Sequence, residues 1–249
     1  MTALVSPWLM AAAVVLLPGA AAANPVADQA FAPVRVPASA TLNYQVTGRI
    51  RGFSYDASAQ LQWRRQGERY DAVWSIGLPL LGTQTQHSEG RITEAGLAPE
   101  RYVEKWRKER AATFDAEGQR IHYTNDRPDA VLESGAQDRL SITLQLAALL
   151  AAAPERYPPG TRITLQTSGV RDAEPWTWDV LADQSLPVAG RDISCARLVR
   201  QPRMENDTGV ELWLARTLNY LPVRLILTQS NGDVADQQLQ TIDKAPASR

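Results

Sequence analysis

Polar and apolar residues alternate along most of this chain with a period of two. Leu42, Tyr44, Val46, Gly48 and Ile50 interleave with Asn43, Gln45, Thr47 and Arg49, the pattern of a strand with one face in a core. Ala57, Ala59, Leu61 and Trp63 interleave with Ser58, Gln60, Gln62 and Arg64; a Gln66-Gly67-Glu68 turn then leads to Tyr70, Ala72, Trp74 and Ile76. That arrangement predicts a hairpin. Further strands are predicted over 83–93, 100–107, 110–114 and 120–124, and again over 163–167, 176–181, 193–201, 210–215, 223–229 and 234–242. Asn231-Gly232 is the strongest hairpin turn. A strand over 53–66 extends ~45 Å at ~3.3 Å per residue, so the sheet must twist and curl. The expected fold is mainly β, a curved antiparallel sheet or half-open β-barrel.

The segment 138–153 departs from this pattern. Its second half, Leu146-Ala147-Ala148-Leu149-Leu150-Ala151-Ala152-Ala153, is rich in good helix formers and lacks β-branched residues. A helix is predicted, with Asp138 as N-cap and Pro154 as stop. It is apolar on every side, so it belongs inside, packed in the concavity of the sheet.

The ends read differently again. Residues 3–17 are apolar apart from Ser6, break at Pro18-Gly19, and run through Ala20-Ala21-Ala22-Ala23. This is the pattern of a secretory signal peptide cleaved after Ala23, too short to span a bilayer at ~20 residues. Expected domains are a signal peptide over 1–23, an extended N-terminal arm over 24–37 punctuated by Pro25, Pro33 and Pro37, a single β-rich domain over 38–243, and a disordered tail over 244–249. The expected location is the periplasm, with no transmembrane segment in the mature chain, which is expected to be a monomer.

Composition removes several chemistries. The 249 residues carry 26 Lys plus Arg against 27 Asp plus Glu, which gives no electrostatic reason to bind nucleic acid. One cysteine, Cys195, excludes an internal disulfide and a Cys-rich metal site, and His87 and His122 offer little for a His-based one. No cofactor is expected. The G-x-S-x-G elbow, P-loop, G-x-G-x-x-G and H-E-x-x-H patterns do not occur. His87 and His122 both fall in predicted strands, where an outward His is the ordinary reading; they would share a metal, with a carboxylate such as Glu89, only if their strands pair. Asp236, Glu211 and Glu174 could face a cavity as paired carboxylates, although the solvent face is the ordinary place for them. Cys195 reads as a small core residue.

Two features invite a ligand. The run Arg101-Tyr102-Val103-Glu104-Lys105-Trp106-Arg107-Lys108-Glu109-Arg110 would place Tyr102, Trp106, Lys108 and Arg110 on one strand face, an aromatic and cationic patch for an anionic headgroup or sugar. The same charges would equally serve to protect a hairpin edge from aggregation. Trp63, Trp74, Trp106, Trp176, Trp178 and Trp213 are the candidate cavity-lining residues, since an indole offers a large apolar face with one donor. Trp176 and Trp178 are the best pair.

Gln137-Asp138-Arg139-Leu140-Ser141, the Tyr157-Pro158-Pro159-Gly160 turn before Ile163-Thr164-Leu165, and Glu211-Leu212-Trp213-Leu214 followed by Leu221-Pro222-Val223-Arg224 stand in an order that resembles a family of exported bacterial proteins, domain of unknown function 3108. The resemblance covers about residues 40–239. The last of these motifs also looks like the closing strands of periplasmic lipoprotein carriers and sigma-factor regulators, whose half-open barrels hold acyl chains. The family implies no catalytic residue, so Asp138, Ser141, Gly160 and Pro222 are assigned structural roles: a helix start, a turn and a strand start. Three functions remain: a non-enzymatic periplasmic protein that binds a lipid or other amphiphilic envelope component; an interaction module for an envelope protein; and a carboxylate-dependent hydrolase.

Overall fold

The computed structural model describes residues 34–244 except 79–81, 125, 189 and 206. The expected signal peptide, most of the N-terminal arm and the tail beyond Lys244 lie outside the described residues. The chain forms β1 (Ala40–Ile50), β2 (Phe53–Gln66), β3 (Arg69–Leu78), β4 (Gly82–Thr93), β5 (Gly96–Lys105), β6 (Glu109–Asp115), β7 (Arg120–Tyr123), β8 (Ala130–Val131) and β9 (Gln137–Asp138). After α1 (Ser141–Ala152) follow β10 (Arg162–Ser168), β11 (Ala173–Val188), β12 (Arg191–Arg200), β13 (Gly209–Ala215), β14 (Leu221–Thr228) and β15 (Val234–Lys244).

All 15 strands belong to one sheet in the order β8-β7-β6-β5-β4-β3-β2-β1-β15-β14-β13-β12-β11-β10-β9. Two meanders run outward from a central β1–β15 pair, and every pairing is antiparallel except β9 on β10. The expected curved, unclosed, half-barrel sheet with one helix is therefore the fold observed. Bulges concentrate the curvature, because an extra residue on one strand increases local twist. One lies at Glu89/Gly90, where a side chain has no room: a Cβ on Gly90 would stand 2.3 Å from the Ala98 carbonyl oxygen. Another lies between Leu181 and Gln184 in β11. It reverses the alternation there, which is why the period-two pattern ends at Leu181 although the strand continues to Val188.

The sheet's two edges lie close together, joined by side chains rather than by a ladder. The Gln166 amide on β10 donates to the Val131 carbonyl (2.8 Å) and accepts from the Glu133 N–H (3.0 Å), while the Tyr123 and Ser168 hydroxyls are 3.0 Å apart.

The helix starts at Ser141, two residues later than an N-cap at Asp138 predicts, and ends at Ala152. Asp138 is still in β9, yet it performs the capping role. Its Oδ1 accepts the N–H groups of Leu140 and Ser141 (both 2.8 Å), and the Ser141 hydroxyl oxygen accepts the Asp138 N–H (2.9 Å). This reciprocal pair satisfies donors that a helix start otherwise leaves orphaned. Nine of the helix's 12 residues are buried, among them Ile142, Leu144, Leu146, Leu149 and Leu150, and it packs against β5, β9 and β14. Gln145 pins it to the β4–β5 turn by accepting from the Leu97 N–H (2.8 Å) and donating to the Ala95 carbonyl (2.9 Å).

The other motif residues have local roles. Pro159 and Gly160 are the centre of a turn closed by the Thr161 N–H on the Pro158 carbonyl (3.0 Å), with Gly160 at φ +93°, a conformation that favours glycine. Pro222 pairs with Leu214 beside a bulge at the start of β14, where its missing N–H breaks no ladder.

Candidate functional site

Helix and sheet do not fill the hollow between them. A cavity of about 440 Å³ remains, walled by Tyr44, Leu61 and Trp74 from one half of the sheet, Trp176, Trp178, Val210, Leu212, Leu225 and Leu227 from the other, and Ile142 from the helix. The alternation of β13 and β14 places these groups: Val210, Leu212, Leu225 and Leu227 turn inward, while Glu211, Trp213, Arg224 and Ile226 turn outward. Two of the wall's polar handles are internally satisfied. The Trp74 indole N–H donates to Gln237 Oε1 (3.2 Å), and the Tyr44 hydroxyl donates to the Pro222 carbonyl (2.8 Å). Burial raises the Tyr44 phenol far above its usual pKa, so it stays a neutral donor.

Charged groups also line the cavity: Glu104, Arg139, Glu174, Arg200 and Asp207. Arg200 is buried; it donates to the Thr208 carbonyl (2.7 Å) and to Asp207 Oδ2 (2.6 Å), and its guanidinium lies 4.1 Å from the centre of the Trp176 ring. Burial pushes the Asp207 carboxyl up, but hydrogen bonds from the Arg203 N–H and the Arg200 guanidinium outweigh it and hold the pKa below the ordinary value. Glu174 is paired with Arg203.

The six candidate tryptophans divide. Trp74, Trp176 and Trp178 line the cavity, the last two with ring centres 6.3 Å apart. Trp63 sits in the core, its ring tilted against that of Tyr70 and its N–H bonded to the Pro37 carbonyl (3.0 Å), so it anchors the chain entering β1. Trp106 is exposed at the β5–β6 turn, whereas Trp213 is buried on the face of the sheet away from the cavity, between the guanidinium groups of Arg197 (5.5 Å) and Arg224 (5.0 Å). The shared face expected for Tyr102, Trp106, Lys108 and Arg110 does not form. Tyr102 is fully buried and donates to Glu104, whereas residues 106–108 make the turn between strands and so leave the alternation.

The other candidate groups are held apart or already engaged. His87 on β4 and His122 on β7 are separated by β5 and β6. His87 Nε2 lies 2.7 Å from Asp71 Oδ2; with Glu89, which stands opposite Asp71, it forms the group that could hold a metal ion among the described residues. His122 Nδ1 instead lies 2.9 Å from Asp129 Oδ2. Asp236 and Glu211 turn outward and pair with Arg224 (2.6 Å) and Arg197 (2.5 Å). Cys195 is buried, and burial followed by the charge of Asp183 pushes its thiol up to about 11, which makes it a poor nucleophile. Asp138, Ser88 and Tyr70 form a buried hydrogen-bonded chain outside the cavity wall, with Ser88 donating to Asp138 Oδ2 (2.5 Å).

Tyr44, Arg200, Asp207 and the leucines of β14 were not candidates on sequence grounds. A signal for Arg200 did exist: Ala196, Leu198 and Arg200 share the inward register of β12.

The family model for proteins of unknown function DUF3108 matches residues 43–239. The chain belongs to the DUF3108 family. Among solved structures, a β-barrel-like protein of domain of unknown function DUF1849 from Brucella abortus matches at a TM-score of 0.57 and 10% identity, covering 85% of this chain and 100% of that one. A domain from Vibrio parahaemolyticus named for outer membrane lipoprotein sorting matches at a TM-score of 0.32 and 8% identity, over 85% and 87% of the two chains. MucB matches at a TM-score of 0.30 and 13% identity, over 85% of this chain and 55% of that one. No functionally curated protein matches significantly. At these identities the likeness to the Brucella protein concerns the fold alone, and this member of the DUF3108 family shares its barrel-like sheet.

Proposed function

We propose that this protein is an exported, non-enzymatic envelope protein that holds a lipid or other amphiphile in the hollow of its half-barrel. The observation that carries the reading is the cavity of about 440 Å³ between α1 and the sheet, walled by Leu61, Trp74, Ile142, Trp176, Leu212, Leu225 and Leu227. Apolar walls with a few placed polar groups suit a chain-bearing ligand, because burying its methylenes contributes about 0.8 kcal/mol each. The carboxylates at the wall favour binding over hydrolysis: Asp207 and Glu174 are engaged by arginines, and Asp207 is held in its charged form. Envelope assembly through an added edge strand has less support, since both edge strands, β8 and β9, are two residues long.

The test is titration of the purified protein with a fluorescent fatty-acyl probe, alongside Leu225→Trp. Leu225 is only partly buried, so a larger side chain there can extend into the cavity without breaking the core. The wild type binds the probe and the variant binds at least about tenfold more weakly. An unbound probe, or equal binding by both proteins, removes the reading.

A further inference from the structure

Two buried donors in the cavity wall have no protein acceptor among the described residues: Nε1 of Trp178 and Nε of Arg200. They belong to neighbouring side chains, because Trp178 on β11 and Arg200 on β12 are directly opposite partners in the ladder and share the inward face. Trp178 is 0% and Arg200 3% exposed. The remaining bonds of Arg200, to the Thr208 carbonyl and to Asp207, and the Trp176 ring beneath it fix its guanidinium in place. Buried polar groups in folded proteins are nearly always paired, and leaving a donor unmet costs more than an ordinary hydrogen bond gains. Two adjacent buried N–H donors on one cavity wall are thus left without an acceptor.

The charges decide which acceptor. Each cation at this end already has a carboxylate: Arg200 has Asp207 at 2.6 Å, Arg139 has Glu104 at 3.8 Å, and Arg203 is paired with Glu174. The site is charge-balanced, so an anion entering it would meet no unmatched cation and would face three carboxylates. An uncharged oxygen meets no such penalty. We propose that Trp178 and Arg200 form the polar end of the ligand site, a pair of N–H donors that takes the carbonyl oxygen of an acyl ester or amide. This rests on the reading that the cavity holds an amphiphile and adds the chemistry of its head.

The experiment compares methyl decanoate, decanoate and undecane as ligands for the wild type and for Trp178→Phe, which keeps an aromatic ring and removes the indole N–H. Affinity is read by calorimetry, and the carbonyl stretch of bound methyl decanoate by infrared difference spectroscopy. The wild type is expected to bind the ester more tightly than the carboxylate and to shift its carbonyl band to lower frequency. Trp178→Phe should weaken the ester by about tenfold more than it changes undecane, the range of one hydrogen bond. Decanoate binding more tightly than the ester would overturn the assignment. So would an ester whose affinity does not respond to Trp178→Phe and whose band is unshifted in the wild type, the result expected if water alone meets these donors; undecane binding would then leave the amphiphile reading standing. Failure of all three ligands to bind the wild type would overturn both. The band shift is measured on the wild type, so the inference remains testable if the variant folds poorly.

Discussion

The Asp138 carboxyl couples the helix start to pH, and the effect is large enough to measure. It is fully buried, and burial raises its pKa from 3.8 to about 6, although the Ser88 hydroxyl and the N–H groups of Ser141 and Leu140 favour the charged form. A shift of about two units corresponds to ~3 kcal/mol. The sign follows from which state holds the proton. Below pH 3.8 the carboxyl is protonated both folded and unfolded, and its contribution to stability is fully present. As pH rises toward about 6 the unfolded chain releases its proton first, so this contribution is lost across that window and stays lost above it. Asp138→Asn cannot titrate. Its carbonyl can still accept from Leu140 and Ser141, and its amide can donate to Ser88, whose own hydrogen then turns to Tyr70, 3.0 Å away. Urea denaturation of both proteins between about pH 4 and pH 7 should show the variant gaining up to ~3 kcal/mol on the wild type as pH rises. A difference that does not change with pH would mean that the hydrogen bonds balance desolvation, and one that changes in the opposite direction that they outweigh it; either would refute the reasoning.

Other perturbations test separate parts of the structure. Gly96→Ala should destabilise the fold by about 2 kcal/mol or more in thermal denaturation, because Gly96 has φ +114° and a Cβ there would lie 2.1 Å from Gln145 Oε1, the acceptor of the Leu97 N–H. Trp213→Ala should cost about 3–5 kcal/mol of stability by removing the ring between Arg197 and Arg224, while acyl-probe affinity stays within twofold because the ring faces away from the cavity. Cys195, buried and with its thiol pushed up to about 11, should resist a thiol reagent at pH 8 until the protein is unfolded; labelling of the native protein would contradict its placement.

Much of the sheet was legible because its strands keep strict alternation. The hairpin of β2 and β3 is a case in which the period of two runs unbroken between turn residues. Legibility failed where geometry breaks that period. The bulge at Leu181/Gln184 hid the second half of β11, and the turn at 106–108 dissolved a face that alternation implied for Trp106 and Lys108. The site was less legible than the fold. A tryptophan's chemistry is the same in core, turn or cavity, and only register and curvature assign Trp63 to the core and Trp178 to the wall. Asp207 gave no signal, since it reaches the cavity from a loop through its bond to Arg200.

The central claim is that the cavity holds an amphiphile, and the most direct test is native mass spectrometry of the protein purified without detergent from a bacterial periplasm, followed by organic extraction. The account predicts a stoichiometric adduct in the lipid mass range that is released by the solvent and absent from Leu225→Trp. A bare wild-type chain that also fails to take up acyl ligands when they are supplied would contradict it.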